Sequence, residues 1–508
     1  MGEALSVPSF SENKDDLVLM ITVAGAHFQR LQWDNLRWKW VIAGAGLVIL
    51  HAWLASISSS FNSQQTLAQQ PILLSTGIQV LAGLFFILAI AGTRFSGGSG
   101  KQLCWMFIVG AVMRCSLLSS TPILEDDFYR YLWDGAVTAS GFNPYILSPS
   151  QILEGTVDDR PIPPMYKQLE EQGQSVLEKV NHPYLRTIYP PVAQGAFVLA
   201  HWLGPWTLSG WRILLSAADL LTVGLLTLLL KRLKLPLLGL VIYWWNPILI
   251  KETYNSVHMD IIVMPFVLGA VLLALRHKYT ASALILGFAV GTKVWPVLLL
   301  PALLRPILAE PMKWIPAVCL FGIVVAIVFA PLHAAGWNES SGLWKYSQSW
   351  EMNDSLFMLL SWLTHAALNL TGILIGQEPL IARLTVAVLL ACWTTWLVRT
   401  DAREPIALCE RCLWIVAALF LLSPTQFPWY YLWLLPFLVV QPKFSLLLLT
   451  ATLSIYYLRF YFDSIHRVEL FDHGIIWVAF APVWILLVRD WVIRRRHPRH
   501  KALARLAA

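Results

Sequence analysis

Charge is what this 508-residue chain has least of. Charged residues make up 13%, where a soluble globular protein carries about 25%. Six cysteines are present, four of them (Cys104, Cys115, Cys319, Cys392) inside apolar runs, and no paired framework emerges. Cys409 and Cys412 form an isolated CERC without a second pair, which reads as small helical residues and not as a zinc site. No glycine-rich nucleotide loop, internal repeat or low-complexity tract stands out. The N-terminus is acidic (Glu3, Glu12, Asp15, Asp16) and lacks the basic start of a secretory signal, so the first spanning helix is expected to be an uncleaved anchor. These absences exclude a soluble domain and a disulfide scaffold.

Apolar sequence fills the remainder: 57% of the residues are hydrophobic and 12% aromatic. Runs long enough to approach a bilayer's thickness recur at about 40–58, 71–92, 102–119, 211–230, 236–250, 257–275, 280–303, 313–332, 354–372, 380–398, 408–422, 428–440, 444–460 and 473–489. The expected fold is therefore an all-α polytopic membrane protein with about 12–14 transmembrane helices. One membrane domain is expected over 39–490, between a polar segment, 1–38, and a basic tail, 491–508. The formal net charge of +7 does not point to nucleic acid, because Lys and Arg sit at helix ends. There they hold cytoplasmic loops inside, which puts both termini in the cytoplasm. Alternation of these runs would also place Trp337–Asp354 inside, although its aromatic and acidic residues look external. One run nearby, 354–372 for instance, would then fail to cross. The short run Val192–Leu203 suggests a re-entrant segment.

One stretch organises the chain: TPILEDDFYRYLWDGAVTASGFNPY, Thr121 to Tyr145. It opens a link of about 70 residues, external by the positive-inside rule, where ordinary connections are about 4–6. That link holds ten acids against five basic residues. Glu125, Asp126 and Asp127 stand together at its head. Three adjacent carboxylates cannot enter lipid, so they stand in water or line a cavity where their charge is used. The spacing in MYKQLEEQGQSVLEKV, 165–180, predicts a helix along the surface.

Ionisable residues within apolar runs are costly and by default face a cavity or one another. Arg114 lies near the outer end of the third run. Arg212 and Asp219, seven apart and on one helical face, could neutralise each other. His258 and Asp260 follow Lys251 and Glu252 at the mouth of another run. Lys293, in GTKVWP, lies well inside its run, with Pro296 loosening the helix. Arg459 sits near the outer end of the next-to-last run. A cation at such depth suits a lipid-linked phosphate, and snorkelling to headgroups is the plain alternative. In SPTQFPWYYLWLLP, Trp429, Tyr430 and Tyr431 read as an interfacial aromatic belt before a sugar platform.

LEDDFYRYLWDGAVTASGFNPY, NHPYLRTIYPPVAQ, WNPILIKETYNSVHMD, GTKVWP and SPTQFPWYYLWLLP, in this order, resemble the bacterial mannosyltransferase-like branch of the GT-C glycosyltransferases. The resemblance spans about 105–465. It implies a GT-C-like fold with a large first external loop, in the bacterial inner (cytoplasmic) membrane. It also implies a polyprenyl-phosphate-linked sugar donor, a glycan or lipid acceptor, and a catalytic Asp at the head of that loop. Asp127 sits at that position, with Asp126 beside it. His258 and Asp260 match a His-x-Asp position. Arg114, Arg130, Lys293, Arg459 and Tyr189 join these two as candidates for binding the donor and its phosphate. The expected activity is inverting transfer of a hexose, mannose favoured, to an acceptor hydroxyl on the outer face. No cofactor is called for; a divalent ion could bridge Asp127 to His258/Asp260, but nothing demands one. A transporter or flippase of a lipid-linked sugar is the alternative. Transporters commonly show repeats and helices broken in corresponding halves, and neither is evident.

Overall fold

The computed structural model describes residues 38–62, 65–91, 99–157, 159–337, 340–371, 377–399 and 404–496. Most of the expected segment 1–38, and the basic tail from 497 onward, lie outside them. Among the described residues nine helices are long and apolar enough to cross a membrane. A tenth is added if the bent pair Pro247–Asn255 and Met259–Leu275 counts as one span. The shortfall against 12–14 comes from runs that hydropathy reads as whole spans but that proline, glycine or a charged residue breaks into short pieces.

Helices α1 (Trp38–Phe61), α2 (Ile72–Ala91) and α3 (Gly100–Leu118) open the bundle. The start of the long link joins the end of α1, Thr121 N–H donating to Ser58. That end of the bundle is the site end. Within the link, α4 (Asp127–Ala139), α5 (Pro149–Glu154), a two-residue β hairpin (Thr156–Val157 with Arg160–Pro161) and α6 (Pro164–Leu177) form a small cap. The predicted surface helix is α6, which buries Tyr166, Leu169, Val176 and Leu177.

Helix α7 (Pro191–Leu203) has 13 residues, about 20 Å of rise against a hydrocarbon core of about 30 Å. It does not cross. It starts beside Tyr189 and ends at Gly204, against the beginning of α8 (Leu208–Arg232), whose Arg212 reaches the carbonyl of Ser120 at the site end. Helix α4 packs on α7 at one glycine: a Cβ on Gly135 would stand 2.5 Å from the carbonyl oxygen of Phe197. Only a residue without Cβ lets the two backbones approach so closely.

The run 280–303 is not one span. Tyr279 lies near Glu310 and Lys313, and Arg305, at the other end, donates to Val398 O. Both ends therefore lie at the far end of the bundle, the end that Arg232 marks by reaching Leu275 O. The chain climbs through Tyr279–Thr292, turns at Lys293, whose backbone is extended, and descends through Trp295–Ile307. This re-entrant hairpin resolves the topology of 337–354. Arg186 N–H donates to Ser340 O, and its guanidinium to Ser340 and Ala335, so this segment packs on the cap, at the site end. Leu356–Thr371, only 16 residues, returns to that end as well, since Arg383 in the next helix pairs with Glu351. Two runs that do not cross cancel in parity, leaving the last helix to run toward the far end.

Candidate active site

Three segments converge at the site end, each entering through a non-glycine residue of positive φ. Leu124 (φ 60) precedes Glu125, His182 (φ 46) follows Asn181, and Val257 (φ 54) precedes His258. Left-handed backbone at a β-branched residue is a genuine outlier, and strain of about 1–3 kcal/mol per residue persists only where surroundings hold it. Trp211 holds Val257 by donating its indole N–H to that carbonyl at 2.7 Å. Just before it, Lys251–Asn255 forms a π turn, a distortion that recurs at functional sites.

Asp127 is the first residue of α4, where the helix dipole favours a carboxylate. Asn181 donates to its Oδ1 at 2.9 Å, and Tyr189 OH to its Oδ2 at 3.1 Å. Its side chain is 28% exposed, the one member of the inner carboxylate group that opens appreciably. The same Asn181 amide donates to Asp126 at 2.8 Å. Asp126 reaches the surface, but protein packed around its carboxyl group withdraws water and, with Asp127 adjacent, pushes it up to about 6. Glu125 turns inward. Burial pushes its carboxyl well above the usual range against the pull of Lys251, with Glu252, Asp127 and Asp126 adding repulsion.

His258 is fully buried, stacked on Trp429 with ring centroids 3.8 Å apart. Its Nδ1 lies 3.8 Å from Asp127 Oδ2, and its Nε2 lies 3.6 Å from both Glu125 Oε2 and Glu252 Oε2. Behind it Lys251 sits 3.4 Å from Glu252 and meets Tyr457 OH, which donates to Glu252 at 2.8 Å.

Asp260 faces a different way. It pairs with Lys293 at 2.8 Å and accepts from the Trp433 indole at 2.9 Å. Lys293, at the tip of the hairpin, is 15% exposed and lies over the rings of Tyr430 and Trp433. His-x-Asp is thus two units, His258 with the carboxylates and Asp260 with the lysine. One short turn, Pro428–Trp433, covers both. Trp429 and Tyr431 are buried and Tyr430 is half-buried, so these rings do not form an interfacial belt: Trp429 and Tyr430 wall the site, and Tyr431 turns away to bond Leu446 O and Thr450.

The other candidate cations each have a protein partner, and Arg114 and Arg130 are buried. Arg114 pairs with Asp219 at 2.7 Å, both buried, while Tyr243 and Tyr254 also donate to that carboxylate. The expected Arg212–Asp219 neutralisation is therefore replaced by a pair between helices, and Arg114 faces Trp244, not the opening. Arg130 is buried and donates to the carbonyls of Asn181, His182 and Leu185; it positions the segment that carries Asn181. Arg459 grips Asp472 through two hydrogen bonds, at 2.9 and 3.2 Å, and stays partly exposed. Among the described residues, no group of three or more His, Cys, Asp or Glu is arranged to hold a metal ion.

Asn181, Glu252 and Tyr457 are site residues that the sequence does not single out, and the acid triplet, which the sequence leaves in water or lining a cavity, divides: Glu125 faces the cavity and Asp126 the surface. The NHP and KET motifs carried Asn181 and Glu252 in plain view. The arrangement presents one accessible carboxylate backed by an imidazole and two buried acids, with a shielded ammonium on the same aromatic wall. A carboxylate so held can take a proton from a hydroxyl.

A family model described as alpha-(1->6)-mannopyranosyltransferase, N-terminal domain, matches residues 40–309, which is 270 of the 508 residues. That span contains Asp127, Asn181, Tyr189, His258, Asp260 and Lys293. No curated protein and no solved structure matches the chain.

Proposed function

Because the chain belongs to the alpha-(1->6)-mannopyranosyltransferase family, we propose that it moves a mannosyl unit from a polyprenyl monophosphate to an acceptor hydroxyl, on the non-cytoplasmic face. Mannosyl transfer is the family's activity; the donor, the stereochemical course and the face are this reading's own. The observation that carries it is the half-open Asp127, held by Asn181 and Tyr189 at the head of the long acidic link.

In this reading the acceptor hydroxyl gives its proton to Asp127 as its oxygen attacks the anomeric carbon. The bond from that carbon to the bridging phosphate oxygen breaks on the opposite side, and the configuration inverts. An α product then calls for a β-linked donor. The leaving phosphate needs a cation where charge grows, and Lys293 and Arg459 are the two candidates that retain exposure. A donor delivered on lipid needs no nucleotide loop.

Purified protein given radiolabelled β-mannosyl polyprenyl phosphate is expected to label its acceptor, and to leave GDP-mannose unused. Transfer from GDP-mannose would overturn the lipid donor. Movement of the lipid donor across vesicles without any transfer would favour the transporter. Sidedness has its own check. With the native cysteines replaced, a cysteine at the exposed Lys167 should react in intact cells with a thiol reagent that cannot cross the membrane. Reaction only after permeabilisation would reverse the topology.

A further inference from the structure

A fully buried imidazole ordinarily bonds at least one ring nitrogen. His258 bonds neither: Nδ1 and Nε2 both lack a hydrogen-bond partner, and so do Glu125 Oε1 and Glu252 Oε2, all buried. Leaving a buried polar group unpaired is costly, so two ring nitrogens and two carboxylate oxygens unpaired in one cluster are a large concentration. They are also ordered. Asp127 lies off one nitrogen and the two glutamates off the other, at 3.6–3.8 Å, while Trp429 fixes the plane of the ring. Each separation is under one ångström beyond a hydrogen bond, and such contacts often tighten when substrate binds.

We propose that His258 is a proton relay behind Asp127, moving the acceptor's proton from the open carboxylate to the buried Glu125/Glu252 pair. The inference rests on Asp127 being the base. The transfer balances as follows. Asp127 takes the acceptor proton and passes it to Nδ1. In the same rate-limiting step Nε2–H gives its own proton to Glu252 Oε2 or Glu125 Oε2. Imidazole returns to neutrality in its other tautomer, Asp127 is again a carboxylate, and one glutamate has become a carboxylic acid. After the products leave, the proton returns along the same path to water at the exposed edge of Asp127.

Emptying Asp127 has a consequence for direction. Reversal would require a protonated Asp127 to reprotonate the acceptor oxygen as the sugar returned to phosphate; moving the proton inward removes that acid while both products are present. The groups facing the ring from every side fit the task. Asp127 and Glu125 face it from the head of the link and Glu252 from the π turn. Lys251, bonded to Glu252 and Tyr457, offsets part of their charge, while Lys293 is paired with Asp260.

The test is single-turnover transfer from radiolabelled β-mannosyl polyprenyl phosphate in mixtures of light and heavy water. The wild-type rate is expected to vary with deuterium content along a curve, since more than one proton moves. His258→Gln keeps a polar side chain of similar reach but cannot be protonated. It should bind donor normally, slow transfer roughly 10²-fold, and straighten the curve. A straight wild-type plot overturns the relay, even if His258→Gln is slow, because a positioning role alone moves no second proton. Wild-type speed in His258→Gln overturns it too. If that variant fails to fold, the wild-type plot and Glu252→Gln decide. An inactive Asp127→Asn beside a fast His258→Gln removes the relay alone, whereas a fully active Asp127→Asn removes the base as well.

Discussion

Asp127→Asn is expected to fold, to bind donor and to lose transfer by roughly 10²–10⁴-fold, the range that a positioned general base contributes. The amide is nearly isosteric, so α4 keeps its first turn and Gly135 its seat on α7. It cannot take a proton from a hydroxyl at neutral pH. One cost to stability is built in. The carboxylate accepts from both Asn181 and Tyr189, and an amide turns its NH₂ toward one of these donors, which costs about 1–3 kcal/mol. Melting and turnover must therefore be measured together. Asp126→Asn supplies the contrast, because Asp126 reaches the surface and shares only the Asn181 contact. It should transfer within a few-fold of wild type. Wild-type turnover by Asp127→Asn would end its assignment as base.

Residues that announce themselves through cost were legible before the structure. A carboxylate triplet after an apolar run, a lysine deep in another, and His and Asp two apart after a lysine–glutamate pair all break local rules, and broken local rules concentrate at functional sites. The family resemblance carried the rest of that reading, and the family match supports its mannosyltransferase part. Pairing was not legible. Asp219 was matched with Arg212 because both lie on one face of one helix. The actual partner, Arg114, lies 105 residues away, and its choice depends on how two helices rotate against each other. The reversal at Lys293 was hidden for a related reason. Hydropathy counts apolar residues but carries no direction, so a hairpin of two short helices reads as one long span. The GTKVWP break was visible and suggested only a loosened helix. Glu125 marks another limit. The sequence leaves the three acids either in water or lining a cavity and does not say which does which; the left-handed turn at Leu124 sends Glu125 inward while Asp126 stays at the surface.

Lys293→Ala is expected to reduce transfer from the lipid donor by roughly 10²–10³-fold, the loss typical of removing one charge-stabilising donor. Two causes would lie behind any such loss. The lysine is bonded to buried Asp260, and deleting one partner of a buried pair leaves an uncompensated charge. That alone could distort the wall of Tyr430 and Trp433 and depress turnover without any contact to phosphate. A double-mutant cycle separates the causes. Asp260→Asn keeps an acceptor for the Trp433 indole but removes the charge, so Lys293→Ala combined with Asp260→Asn restores local neutrality. If the lysine meets the donor phosphate, the double variant should regain the melting temperature lost in Lys293→Ala while transfer stays low. Lys293→Arg, which keeps the charge and alters its reach, should then retain part of the rate. Asp260→Asn alone should tighten donor binding, because it frees the ammonium from its internal partner. If the double variant instead recovers transfer along with stability, Lys293 serves only to neutralise Asp260, and Arg459 becomes the remaining candidate for the leaving phosphate.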